Sequence, residues 1–138
     1  MRTESTDKLV KEYNDVVEAA IKKVKDYFDK YKADYVEFLS KGYEFIYEKD
    51  GYRYSSVNFP LFLKKDPDGS TEQIFYSIVD GRIFSESMEI YSFHDIVISQ
   101  QFDGVIATLV SPQYYVNEYA DLVTKRTKLL KKVTKLSI

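Results

Sequence analysis

The chain has 138 residues, 44% of them apolar and 30% charged, with a formal net charge of −2. That composition suits one globular domain with its own core. It contains no cysteine, which excludes a disulfide framework, a thiolate nucleophile and a thiolate zinc cage. No uncharged run approaches the ~20 apolar residues that a membrane-spanning helix needs. Met1 to Glu4 lead directly into charged helix, so neither signal peptide nor membrane contact is expected, and a cytoplasmic location is.

The net charge hides an asymmetry. Residues 1–42 are balanced, residues 43–111 carry −6 and residues 112–138 carry +4. An acidic middle and a cationic C-terminal end attract one another, within a chain or between chains.

The first predicted element is a helix over about 5–40. Ser5 or Thr6 opens it, and Asp7 meets the positive end of the helix dipole. Val10, Tyr13, Val17, Ala20, Val24, Tyr27 and Tyr31 recur at alternating steps of three and four, a heptad seam of the coiled-coil kind. Leu9, Val16, Ile21 and Phe28 widen it, and Gly42 is a natural stop. A break near residues 32–34 is the alternative to one continuous helix.

An antiparallel meander follows over about 43–110. Four of the five glycines stand in Asp-Gly pairs, at 50–51, 68–69, 80–81 and 103–104, each between β-prone runs. Asp-Gly accepts the positive φ of tight hairpin turns. The pairs predict strands near 43–49, 52–57, 60–65, 71–79, 82–92, 95–102 and 105–110, with 93–100 as a short helix in the alternative. The expected partners are Tyr47 with Tyr54, Glu48 with Arg53, Phe62 with Ile74, Lys64 with Glu72 and Ile78 with Ile83. Tyr43, Phe45, Tyr47 and Tyr54 share the face expected to be buried.

The last element is a helix over about 112–136. Ser111 caps it, Pro112 takes its first position and Val110 staples onto Tyr115. Tyr115, Tyr119, Leu122, Arg126, Leu129, Val133 and Leu136 form a second seam, flanked by Val116, Val123 and Leu130. The fold class is therefore α+β, with a meander of six to seven strands between two long helices in one domain, 1–138. A meander closed by a C-terminal helix resembles helix-grip and pleckstrin-homology-like domains, and the α–meander–α order resembles prefoldin-like chaperones. These likenesses are of architecture and imply binding or chaperoning without assigning a residue.

Chemistry is sparse. The one histidine, His94, adjoins Asp95, and neighbours on a strand point to opposite faces, so no dyad is expected. Asp66-Pro67-Asp68-Gly69 lacks the ligand spacing of a calcium loop and reads as a turn. No phosphate loop, dinucleotide fingerprint, nucleophile elbow or zinc motif occurs. No catalytic set, cofactor or metal is expected.

The expected function is non-catalytic protein binding, by an oligomeric adaptor or inhibitor. A helix of ~35 residues is ~50 Å long, more than a sheet ~30 Å wide covers, so its stripe needs a second copy or a partner. Self-association, as a dimer, is assigned to Val10, Tyr13, Val17, Val24, Tyr27, Tyr31, Leu122, Leu129 and Val133. Tyr52, Arg53 and Tyr114 are the expected partner contacts. One alternative is a carrier of small apolar ligands with a cavity between sheet and C-terminal helix. Another is nucleic-acid binding through Lys125, Lys128, Lys131, Lys132 and Lys135 on the basic last helix.

Overall fold

A computed structural model describes residues 3–98 and 109–137. Helix α1 (Thr3–Ser40) is continuous through residues 32–34. It ends in a Schellman cap. Gly42, at φ +80°, donates its N–H to Leu39, and Tyr43 donates to Phe38. The Phe38 and Tyr43 rings close the motif edge to face at 5.5 Å.

Strands β1 (Phe45–Lys49) and β2 (Tyr52–Ser56) form a hairpin on Asp50-Gly51, whose φ values are +53° and +79°. Both central residues are left-handed, as a type I′ turn requires. The register pairs Tyr47 with Tyr54 and Glu48 with Arg53, as the sequence predicts. A second sheet has the order β3-β4-β5-β6, from β3 (Phe59–Lys65), β4 (Thr71–Tyr76), β5 (Ile83–Ser85) and β6 (Ile90–Tyr91). The pairs Phe62–Ile74 and Lys64–Glu72 are also as predicted.

The meander departs from expectation in three places. It is split into two sheets rather than continuous. A bend at Val57-Asn58, where the Ser56 hydroxyl accepts from the Asn58 N–H at 3.0 Å, separates β2 from β3. β3, the edge strand of the second sheet, also carries Pro60, which has no N–H to give to a ladder. Second, Tyr76 and not Ile78 opposes Ile83. Asp80 takes the Ser77 hydroxyl and Ser77 pairs with Arg82, so the loop is longer and Ile78 turns into the core. Third, the expected strand 82–92 is itself a hairpin. Its turn spans residues 86–89, with Met88 at φ +68° and the Ser87 N–H bound to Glu72 at 2.7 Å.

Residues 93–98 form helix α2 (Phe93–Ile98), not strand. Ser92 and Asp95 cap it reciprocally at 3.0 and 3.1 Å. The Asp103-Gly104 turn and its flanking strands lie largely outside the described residues. Helix α3 (Pro112–Thr134) begins at Ser111, but the Ser111 side chain makes no capping bond; Pro112 at the first position starts the helix.

Four rings from four elements meet in the core: Tyr35 of α1, Phe45 of β1, Phe59 of β3 and Tyr115 of α3. Their centroids lie 5.1 to 6.0 Å apart, mostly edge to face. Phe28 extends the cluster by stacking on Tyr76 at 4.2 Å and meeting Phe59 at 5.2 Å.

Two substitutions test this account by urea denaturation. Phe28→Ala should cost about 3–5 kcal/mol, the range for emptying a buried ring site. Gly42→Ala should cost about 1 kcal/mol from backbone strain, because nothing lies within 4 Å of where the new Cβ would sit.

Candidate interaction surfaces

The two long helices are only partly used by the core. On α1, the buried positions are Val17, Val24, Phe28, Tyr35 and Phe38, and no position before Val17 is buried. Leu9, Val10, Tyr13 and Val16 are exposed, Leu9 by 66%. The helical period puts them in line with the buried stripe, so the stripe runs on past the body. On α3, Tyr115 and Leu122 are buried, and every described residue after Leu122 is exposed. Leu129, Leu130, Val133 and Leu136 are 58–64% exposed.

The two free lengths lie at opposite ends. Tyr27 of α1 donates its hydroxyl to the Val110 carbonyl. Further along α1, Tyr35 meets Tyr115 at 6.0 Å and Phe38 meets Tyr119 at 6.3 Å. Contacts therefore advance along both helices together, and α1 and α3 run in the same sense. The N-terminal arm of α1 leaves one end of the body and the C-terminal arm of α3 leaves the other.

This divides the residues assigned to self-association from the sequence. Val10, Tyr13, Leu129 and Val133 are available on the arms. Val17, Val24 and Leu122 are buried in the chain's own core, and Tyr27 and Tyr31 pack against it. Heptad spacing shows which face is apolar but not which part of that face the chain itself covers. Leu9, Val16 and Leu130, flanks of the two seams in the sequence, and Leu136, the last member of the second seam, belong with the arms.

Arg53 is likewise engaged internally. Its guanidinium reaches Glu118 at 2.6 Å and Asp121 at 2.9 Å, both on α3. It holds the Asp121 carboxyl below the usual carboxylate range, with Lys125 assisting. The hairpin is thus pinned to α3, and Arg53 is not free for a partner. Tyr52 on the opposite face of β2 is exposed, as is Tyr54, which stacks on Tyr47 at 5.4 Å. Tyr114, in the first turn of α3, is also exposed. The structure sets Tyr52 and Tyr54 side by side and Tyr114 on a different element.

Lys125, Lys128, Lys131, Lys132 and Lys135 are all exposed on the α3 arm. Among the described residues only Lys125 of these forms an ion pair, with Asp121 at 3.2 Å.

The interior offers little reactive chemistry. Between sheet and last helix, where the small-ligand alternative places its cavity, the Tyr115 ring packs against Phe45 and Phe59. A groove of about 420 Å³ lies elsewhere, between α1, β5–β6 and α2, with Ile21, Ile83 and Phe93 below and Lys25, Arg82 and His94 at its rim. Arg82 is turned to Asp80 at 2.7 Å. His94 is exposed on α2, one residue before the capping Asp95. Among the described residues no group of three or more metal-binding side chains gathers, and no helix is long and apolar enough to cross a membrane.

Among the described residues the buried titratable groups are tyrosines. Burial pushes the Tyr35 and Tyr115 hydroxyls well above the ordinary tyrosine range, and Tyr35 is raised further by its bond to Tyr27. Tyr35 lies 2.8 Å from the Tyr27 hydroxyl. The Tyr27 and Tyr35 hydroxyls both reach the Val110 carbonyl and so tie α1 to the segment entering α3.

No family model, curated protein or solved structure matches the chain. The architectural likenesses drawn from the sequence therefore gain no support, and any functional reading rests on the surfaces just described.

The tyrosine ties give a signed pH effect. A hydroxyl whose folded pKa is raised keeps its proton while the unfolded chain loses it, so stability should fall as pH rises beyond about 10. Tyr35→Phe should cost about 1 kcal/mol at neutral pH and make that alkaline fall shallower, as read from urea midpoints between pH 8 and 11. An equal alkaline slope in both proteins would show that Tyr35 does not contribute.

Proposed function

We propose that this chain is a non-catalytic protein-binding module, an adaptor or inhibitor that works as an oligomer. The observation that supports it is the pair of apolar stripes on helix arms that the chain's own body leaves uncovered. Stripes of this kind are uncommon on proteins that remain alone in water, where large apolar patches mark contact surfaces. The helices assemble the particle, and the exposed tyrosines engage a second protein. Tyrosine supplies large contact area with few rotatable bonds, which suits it to interfaces. Tyr52 and Tyr114, with Tyr54 beside Tyr52, are the contact residues; Arg53 acts by holding the hairpin against α3.

Native mass spectrometry of the protein purified from its own host tests both halves. The expected result is more than one copy together with a bound protein that is lost from the Tyr52→Ala/Tyr114→Ala variant. Retention of that protein by the variant would remove the tyrosine assignment. A single-copy mass by light scattering at high micromolar concentration would overturn the oligomeric reading.

A further inference from the structure

We infer that the α1 arm of one copy, residues 3–16, packs against the α3 arm of a second copy, residues 123–137, head to tail. This rests on the self-association proposed above and adds which surface meets which.

The first support is the packing already present inside the chain. Helices α1 and α3 run in the same sense and face each other through Tyr35–Tyr115 and Phe38–Tyr119. The free stripes prolong these two facing surfaces in opposite directions. A second copy displaced along the helix axes lays its α3 arm on the α1 arm in that same sense. Leu9, Val10, Tyr13 and Val16 then meet Leu129, Leu130, Val133 and Leu136, all exposed in the single chain.

The second support is length. The α1 arm has fourteen residues and the helical part of the α3 arm twelve. At 1.5 Å per residue they measure about 21 Å and 18 Å, so each can cover the other.

Charge is the third support, and it chooses between pairings. The α1 arm carries four acids and two bases, a net −2, and the α3 arm carries six bases and no acid. Pairing two α3 arms would set six cations against six at close range. Pairing unlike arms brings a net −2 arm to the lysine-rich arm instead, which favours their encounter. A contact between unlike surfaces is heterologous. Repeated by every copy it gives a chain or a ring, so the assembly extends beyond a two-fold dimer.

Complementation between two variants tests this. Val10→Gln/Tyr13→Gln disables the α1 arm, and Leu129→Gln/Val133→Gln disables the α3 arm. All four positions are exposed, so both proteins should keep the wild-type circular dichroism and unfolding midpoint. Wild type should grow in light-scattering mass with concentration, past two copies, and lose mass as salt is added. Each variant alone should hold the mass of one copy. An equal mixture should double that mass and stop there, since one competent pair of arms remains. Variants that assemble alone as wild type does, or a mixture that stays single, would overturn the pairing of unlike arms while leaving self-association standing. A wild-type mass that stops at two copies would overturn the head-to-tail geometry. A wild type that stays single throughout would sink the self-association itself, and binding of a short DNA duplex by that single copy at low salt would assign the α3 arm to nucleic acid.

Discussion

Four aromatic rings hold this molecule together. Tyr35, Phe45, Phe59 and Tyr115 come from α1, β1, β3 and α3, and all four are buried. Each edge-to-face pair contributes roughly 0.5–1.5 kcal/mol beyond the burial of its area. The cluster matters more here than in a sheet with continuous pairing. The β1–β2 hairpin makes no ladder with β3, so its position depends on Phe45 packing against Phe59 and on Arg53 reaching α3. The rings are where the hairpin, the four-stranded sheet and the two long helices all meet.

The location of that cluster decides what remains outside. It engages the C-terminal part of α1 and the N-terminal part of α3. Because the two helices run in the same sense, their unused parts point away from each other. A helix–helix pair running in opposite senses would have placed both arms at one end, where they could cover each other within a single chain. The sense of packing in the core is therefore the reason that the two arms do not cover each other within one chain.

The same core also fixes the state of its titratable groups. Its buried ionisable groups are tyrosines held in their neutral form by burial. The carboxylates that depart from their ordinary range do so because of turn and cap contacts or ion pairs: Asp95 with Ser92, Glu72 with Ser87, Asp121 with Arg53. Such groups stabilise local geometry. What distinguishes the surface is apolar stripes on helices and tyrosines on a hairpin.

Local rules were enough for much of the architecture. Asp50-Gly51 and the turn at residues 66–69 announced themselves because a positive φ is a property of the residue and its neighbours, and their registers followed from alternation along the strands. The cap at Gly42 was legible for the same reason, whereas the spacing left a break near residues 32–34 open and the structure closes it. The hairpin hidden in residues 82–92 was not, because Met88 takes its positive φ without a glycine to signal it, in a turn supported by Glu72 from another strand. The amino-acid order by itself determined the two long helices, the main turns and the apolar faces. Only the tertiary structure decided which stretch of each face is covered, that Arg53 turns inward, and that the arms part. Those outcomes depend on where distant elements land, and a short-range repeat carries no information about that.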